Sequence, residues 1–193
     1  QGDEINSVVM SDHYRLDKEV LLFAAFALLL IVVAGKNGFL AIFSFAITVL
    51  TLWKILVPAY LNGYSPIWIG IIITIFLTLM IIFFVYGFDR RTVTASLGSL
   101  LGIFTTCILG MLFTDLFKIN GAVMPDSESL LYSGFQNLDL TAIFMSSIFI
   151  GASGAMMDLS VDITSAVHEV VEKKPDISWK EAAKSGMNVG RAA

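Results

Sequence analysis

The sequence predicts an all-α membrane protein, a helical bundle of about five transmembrane helices, and two observations lead to this fold class. Of the 193 residues, 56% are apolar and 15% are charged, whereas soluble domains have about 45–50% and 25%. The only charged residues between Val20 and Phe88 are Lys36 and Lys54, and residues 92–114 and 140–157 include none. Because such runs are long enough to cross a bilayer, the first partner that we expect is lipid.

Five stretches have roughly the 20 apolar residues that a transmembrane helix requires. The first is short and ends at the glycine-bounded turn 35–38, and the second ends at residues 62–66, where glycine and proline cannot continue a helix. Residues 89–91 are charged and separate the third span from the fourth. The predicted spans are residues 20–34, 39–61, 67–88, 92–117 and a fifth that begins near residue 140.

The spans divide the chain into three parts. Residues 1–19 are polar, and we interpret them as an extracytoplasmic tail at the end of an outer domain, although a disordered tail fits equally well. Residues 20–172 form the transmembrane domain, and residues 173–193 a cytoplasmic amphipathic segment. Because the chain opens with Gln1 and no signal peptide precedes the first span, we expect it to be a fragment of a longer protein.

Two short helices are predicted outside the spans. In the outer loop, Pro125 and the polar residues 126–128 precede apolar positions, which is typical of a short helix lying at the interface. In the C-terminal segment, Ser178 and Glu181 have the spacing of a capping box ahead of a small-residue stretch. This pattern predicts an amphipathic helix with Trp179 at the level of the lipid headgroups.

The distribution of Lys and Arg predicts the orientation, because positively charged connections stay in the cytoplasm. Alternate connections are basic, and the segment after the fifth span is the most basic part of the chain. We therefore expect a multi-pass membrane protein with its N-terminus outside. The residues used are Lys36, Arg90, Arg91, Lys118, Lys173, Lys174, Lys180, Lys184 and Arg191.

Several function classes are excluded or disfavoured. The net charge is −4 and no basic stripe is present, so we expect no nucleic-acid partner. Cys107 is the single cysteine, and the chain has no phosphate-binding glycine loop, HExxH or dinucleotide fingerprint, so we expect no metal, no cofactor and no enzyme. The residues around Ser153 resemble the serine box of rhomboid proteases, but His168 is about 22 Å along the same helix. An intramembrane enzyme would need a catalytic group from elsewhere.

Small residues recur every four positions in span four, and span five has a similar series at Ser147, Gly151 and Ala155. In lipid, helices associate through close backbone approach, so we predict helix-packing faces that pair these two spans. The pairing is compatible with rigid packing and with two smooth helices that slide, and spacing does not choose between them. The predicted packing glycines are Gly98, Gly102, Gly110, Gly151 and Gly154.

The sharpest candidate site is a pair of acids on span five. Asp158 and Asp162 are four residues apart and share one helix face, which Ser165 and Glu169 continue. Charged residues within spans mark ion or proton routes, and carboxyl groups close together in lipid favour a bound proton. The alternative is that Asp158, eighteen residues after Leu140, lies among the cytoplasmic headgroups and has a structural role.

Seven segments of the chain form a distinctive set: residues 151–158 (GASGAMMD), 163–166 (ITSA), Glu169, Lys174-Pro175 and 185–191 (SGMNVGR), with 63–66 (GYSP) and 92–98 (TVTASLG). Together they resemble the YibE/F-like proteins, which implies a protein of the bacterial cytoplasmic membrane. The resemblance runs from about Tyr14 to Arg191 and implies an outer domain before the first span and further spans beyond the last. It implies no settled activity.

A weaker resemblance is to the central helix of SecD, SecF and related RND-type permeases. Its basis is a glycine-spaced span that leads to an aspartate, with a glutamate eleven residues further on. The resemblance implies that Asp158 occupies the proton-coupling position and Glu169 the acidic helix end.

These observations lead to two hypotheses. The preferred one is the membrane part of a proton- or ion-coupled permease or export-assisting protein, with coupling residues Asp158, Asp162 and Glu169 and an unknown substrate. The second is a non-transporting scaffold or assembly subunit. Both include a homo-oligomer, or a hetero-oligomer with a homologous membrane protein, because small-residue faces bind other helices.

Overall fold

The structure, a computed structural model, describes residues 15–125 and 127–192, and within these ranges it contains helices and no strand. The all-α prediction is confirmed. Most of the predicted tail, residues 1–14, lies outside the described residues. The helices are α1 (Leu16–Thr51), a π-helical turn (Leu52–Leu56), α2 (Val57–Leu61), α3 (Pro66–Tyr86), α4 (Arg90–Leu116), a 3-10 turn (Gly121–Val123), α5 (Ser127–Tyr132), α6 (Leu140–Lys173) and α7 (Trp179–Ala192).

Among the described residues, four helical stretches are long and apolar enough to cross a membrane: Leu16–Leu61, Pro66–Tyr86, Arg90–Leu116 and Leu140–Lys173. The first contains both the first and the second predicted spans. It is broken at Gly35, whose φ of 56° and ψ of −126° are not helical. A side chain on Gly38 would overlap the carbonyl oxygen of Leu30, although eight residues of straight helix would separate the two by about 12 Å. The chain therefore turns back sharply at Gly35.

The chain consists of two compact units, one up to Phe39 and one from Leu40 onward. In the first unit, the helix that starts at Leu16 exposes most of its large apolar side chains, and the exposed fraction exceeds 70% at Leu21, Val32 and Val33. An apolar helical surface of this kind is stable in lipid and not in water.

The second unit is organised around α6, which packs against α3, α4 and α7. Three small groups of buried residues follow α6 along its length. The first contains Leu56, Tyr60, Ile73 and Leu77, the second Ile103, Cys107, Met145 and Phe149, and the third Ile82, Ala95 and Val161. The interior is thus a series of local contacts along one helix.

The backbones of α3 and α6 approach closely at Gly70. A Cβ atom on Gly70 would overlap the hydroxyl of Ser146 and lie 2.8 Å from the Ser146 Cβ atom. The same hydroxyl makes a buried hydrogen bond with the hydroxyl of Tyr60. Ser146 therefore joins α2, α3 and α6 at one point.

Tyr60 reaches Ser146 from a segment that has a π-helical turn. The backbone N–H of Val57 donates to the carbonyl oxygen of Leu52, five residues earlier. Pro58 follows, and a proline lacks an N–H group and clashes with the carbonyl four residues before it. The wider turn accommodates the proline within a helical segment.

The two short helices predicted outside the spans are present as α5 and α7. The capping box of α7 is formed, since the N–H of Glu181 donates to Ser178 Oγ (3.3 Å) and the N–H of Ser178 donates to Glu181 Oε2 (3.4 Å). Gly186 packs against Val167 of α6 and Gly190 against Ile163. Because the later glycine contacts the earlier residue, α7 runs antiparallel to α6. The position of Trp179 at the headgroups stays a prediction.

We predict that Gly70→Ala destabilises the second unit. The added methyl group would push the Ser146 backbone away, which costs about 1–3 kcal/mol and exceeds the roughly 1 kcal/mol that alanine contributes to a helix. The measurement is the midpoint of thermal unfolding in detergent, followed by tryptophan fluorescence. The matched control is Gly154→Ala, because a Cβ on Gly154 meets no atom within 4 Å. An equal fall of the midpoint in both variants would contradict the close contact.

Candidate functional site: the acidic face of α6

One face of α6 is exposed along its whole length and contains both predicted aspartates. Its members share small or polar side chains and a spacing of three or four residues, which places them in one line along a helix. We call this line the acidic face. Its residues are Ser147, Gly151, Ala155, Asp158, Asp162, Ser165 and Glu169.

Asp158 and Asp162 lie one turn apart on the acidic face, and both are exposed. Neither makes a hydrogen bond or ion pair with a described residue, so both carboxyl groups are available for protons, ions or another chain. Tyr86, the last residue of α3, lies within electrostatic range of both carboxyl groups. The phenol of a second helix is therefore close enough to be influenced by the charge of both acids.

The opposite side of α6 contacts the glycine series of α4. A Cβ on Gly98 would lie 3.3 Å from Ser160 Oγ, one on Gly102 2.7 Å from Met156 Sδ, and one on Gly110 3.1 Å from the Phe149 ring. The three glycines thus allow α6 to approach α4. We call these contacts the glycine seam.

The small residues of α6 are not on the glycine seam. Cβ atoms on Gly151 and Gly154 would meet nothing within 4 Å, and Ser147, Gly151 and Ala155 are exposed. The expected pairing of the two small-residue series needs correction, because large α6 side chains fill the space over the α4 glycines. The small series of α6 faces outward with the aspartates.

Glu169 is also on the acidic face but has a partner. Its Oε1 lies 2.5 Å from Lys173 Nζ in an exposed ion pair within α6. Nearby, Arg91 Nη2 lies 3.9 Å from Glu172 Oε2, so the start of α4 and the end of α6 are at the same end of the unit. We call this the Asp89 end. Its location agrees with the predicted topology, in which both segments face the same side of the membrane.

Two side chains that make contacts between helices were not predicted from the sequence. Tyr86 is the last residue of a long apolar run, and Ser146 is one of several small residues in its span, so neither stands out in the sequence. Their proximity to Asp158 and to Tyr60 depends on contacts between distant helices. The rhomboid-like Ser153 donates to the Ile150 carbonyl of its own helix (2.6 Å), and His168 Nε2 lies 3.7 Å from Glu172.

In the described part of the chain, no group of three His, Cys, Asp or Glu side chains could hold a metal ion. Two acids four residues apart therefore have no third carboxylate or imidazole to complete a metal site. The chemistry that the acidic face offers is proton or ion exchange and contact with another polar surface.

The fold and the acidic face define a polytopic α-helical membrane protein with an acidic helix face. Comparison with family models matches residues 22–193 to the YibE/F-like protein family, which is nearly the whole chain. The chain belongs to the YibE/F-like family. The comparisons with curated proteins and with solved structures give no match.

We predict that thiol labelling will divide the acidic face into a part that water reaches and a part that lies in lipid. In a Cys107→Ala background, single cysteines replace Gly151, Ala155, Ser165 and Glu169 in turn. A membrane-impermeant maleimide should label the positions near the Asp89 end, 165 and 169, and leave 151 and 155 unlabelled, because thiols in lipid do not meet the reagent. The buried Val161 is the matched negative control. Uniform labelling of all four positions would mean that the face lies in water.

Proposed function

We propose that this chain is the membrane part of a proton- or ion-coupled permease or export-assisting protein. Asp158 is the proton- or ion-coupling residue, and Asp162 modulates it. The observation that carries the proposal is the exposure of two unpaired aspartates on one face of α6, beside Tyr86. Residues 140–157 before them are uncharged.

The depth of Asp158 along the bundle supports this role. Its neighbours Met156 and Ser160 contact Gly102 and Gly98, which lie 12 and 8 residues into α4. At 1.5 Å per residue, these positions are about 18 and 12 Å from Arg90. Since Arg90 and Arg91 mark the water boundary, Asp158 lies inside a hydrocarbon layer of about 30 Å. Asp162 is one turn closer to the boundary.

The free-energy cost of a charged aspartate at that depth would drive the change between conformational states. An aspartate at the centre of a membrane helix costs about 2.5–3.5 kcal/mol when charged, so protonation lowers the free energy of states in which the acidic face meets lipid. Deprotonation favours states in which the face meets water or a polar partner. The glycine seam on the other side of α6 lets the helix shift against α4 between such states.

Glu169 has a different place in this scheme. It is 11 residues after Asp158, about 17 Å further along α6, and Glu172 in the following turn contacts Arg91, so Glu169 lies at the level of the water boundary. Its pairing with Lys173 keeps it as a surface charge. We assign it to the water-facing end of the route from Asp158 past Asp162.

The proposal also covers the orientation of the chain in the membrane and the absence of an enzymatic role. We propose that the Asp89 end faces the cytoplasm of a bacterium and that the N-terminus is outside, because Arg90, Arg91 and the basic C-terminal segment are at that end. We propose no enzymatic activity, because the Ser153 hydroxyl is bonded within its own helix.

We predict that Asp158→Asn abolishes proton exchange at the acidic face. The full chain is reconstituted in liposomes, and infrared difference spectra are recorded between acidic and neutral buffers, because a carboxyl group that exchanges protons between them gives a protonated carboxyl band. The band should disappear in Asp158→Asn and persist in Asp115→Asn, an exposed acid at the opposite end of α4.

The corresponding cellular measurement is the phenotype that deletion of the intact gene produces. Asp158→Asn should fail to restore growth or export at normal expression, and Asp115→Asn should restore it. A variant without Asp158 that retains both the carboxyl band and the phenotype would refute proton coupling.

The second candidate function is a scaffold or assembly subunit, favoured by the open backbone at Gly151 and Gly154. Small residues on an exposed helix face allow another helix to approach closely. In that case the aspartates contact a partner chain and take no part in proton transfer.

We predict that Gly151→Leu tests whether the acidic face is an assembly surface. Because nothing lies within 4 Å of a Cβ at Gly151, the variant should fold with an unchanged thermal midpoint. In an assembly subunit, the leucine should convert oligomers to monomers, as measured by light scattering on the detergent-solubilised protein. Unchanged oligomerisation with normal folding would exclude this face as an assembly surface.

A further inference from the structure

A groove of about 340 Å³ lies between α4 and α6 at the Asp89 end, and none of its lining residues belongs to the acidic face. The α6 side chains Ile163, Val167 and Val171 form an apolar surface that we call the groove floor, and Arg90 and His168 are polar lining residues. Since an apolar cavity of about 150 Å³ can hold one benzene molecule, the groove has room for a stretch of hydrocarbon chain.

The groove crosses the level at which the bundle leaves the hydrocarbon layer. Gly98 of α4 contacts Ser160 of the antiparallel α6, so Arg90, eight residues earlier, lies level with His168, eight residues later. Ile163 is five residues before His168 and therefore about 7 Å deeper in the membrane. The basic part of the groove is at the depth of lipid headgroups, and the groove floor extends from there toward the acyl chains.

The helix α7 adds positive charge beside the groove. Two of its glycines pack against the floor residues Ile163 and Val167, so α7 borders the groove. Lys184 lies two residues before the first of these glycines and Arg191 directly after the second, and both side chains are exposed. Long basic side chains keep their charged ends among the headgroups even when their backbone lies deeper.

The positive charges at the groove are only partly neutralised by the protein. The two glutamates in the last turns of α6 already lie against basic neighbours, one of them 3.9 Å from Arg91 Nη2. The side chains of Arg90, Lys184 and Arg191 make no hydrogen bond or ion pair with any residue that the structure describes. Three uncompensated charges at headgroup depth complement a lipid with net negative charge.

We propose that this groove binds an anionic phospholipid, with one acyl chain along the groove floor and the phosphate group at Arg90 and His168. An apolar floor alone would accept any lipid, and basic residues alone would accept any anion. Their combination selects a lipid that has a net negative charge, and the two basic residues of α7 strengthen that selection. The site includes neither aspartate of the acidic face, so its failure would leave the proposed function intact.

The test measures lipid binding to the purified full chain by native mass spectrometry. Phosphatidylglycerol and phosphatidylcholine with identical acyl chains are titrated at constant ionic strength, and glycerol phosphate serves as a headgroup without chains. The variants Arg90→Gln and Lys184→Gln each remove one uncompensated charge. The matched control is Lys174→Gln, which removes the same charge from an exposed residue beyond the end of α6 that does not line the groove.

We expect phosphatidylglycerol to bind more tightly than phosphatidylcholine. Each variant should weaken phosphatidylglycerol binding about fivefold, the contribution of one basic residue near an anionic surface, and leave phosphatidylcholine binding unchanged. Both variants replace exposed side chains without partners, so they should fold normally.

The control Lys174→Gln should bind both lipids as the unchanged chain does, and glycerol phosphate should not displace phosphatidylglycerol, because it has no chain to lie on the groove floor. Equal binding of the two lipids, or unchanged phosphatidylglycerol binding in Arg90→Gln, would overturn the proposal. So would an equal loss in Lys174→Gln, which would indicate general surface attraction, or displacement by glycerol phosphate, which would indicate a site for free anions.

Discussion

The close approach of α6 to its neighbours is the constraint on which the other features depend. In lipid, burial of apolar surface adds little to helix association, so the helices must touch over a large area. Glycines on α3 and α4 make this possible, since Ser146 fits over Gly70, Phe149 over Gly110 and Met156 over Gly102. These contacts fix one face of α6 as the packed face. The face that contains Asp158 and Asp162 is then the one left open.

The helices themselves were largely predictable because apolar runs end at residues that cannot continue a membrane helix. Pro66 and the charged residues at 89–91 fix the bounds of α3 and the start of α4 within two residues of the prediction. The break at Gly35 coincides with the predicted turn at 35–38, because a positive φ favours glycine. What the sequence could not predict is the pairing of faces. Small residues spaced four apart show that another helix can approach the backbone at those positions. They do not show which side chain of that helix fills the space, as Phe149 does over Gly110.

The candidate site was predictable only in part for the same reason. The shared face of Asp158 and Asp162 follows from helical spacing, which is a local property. Tyr86 comes from the end of α3, and its position relative to the two acids depends on where that end meets α6. Contacts of this kind leave no periodic signal in a single sequence.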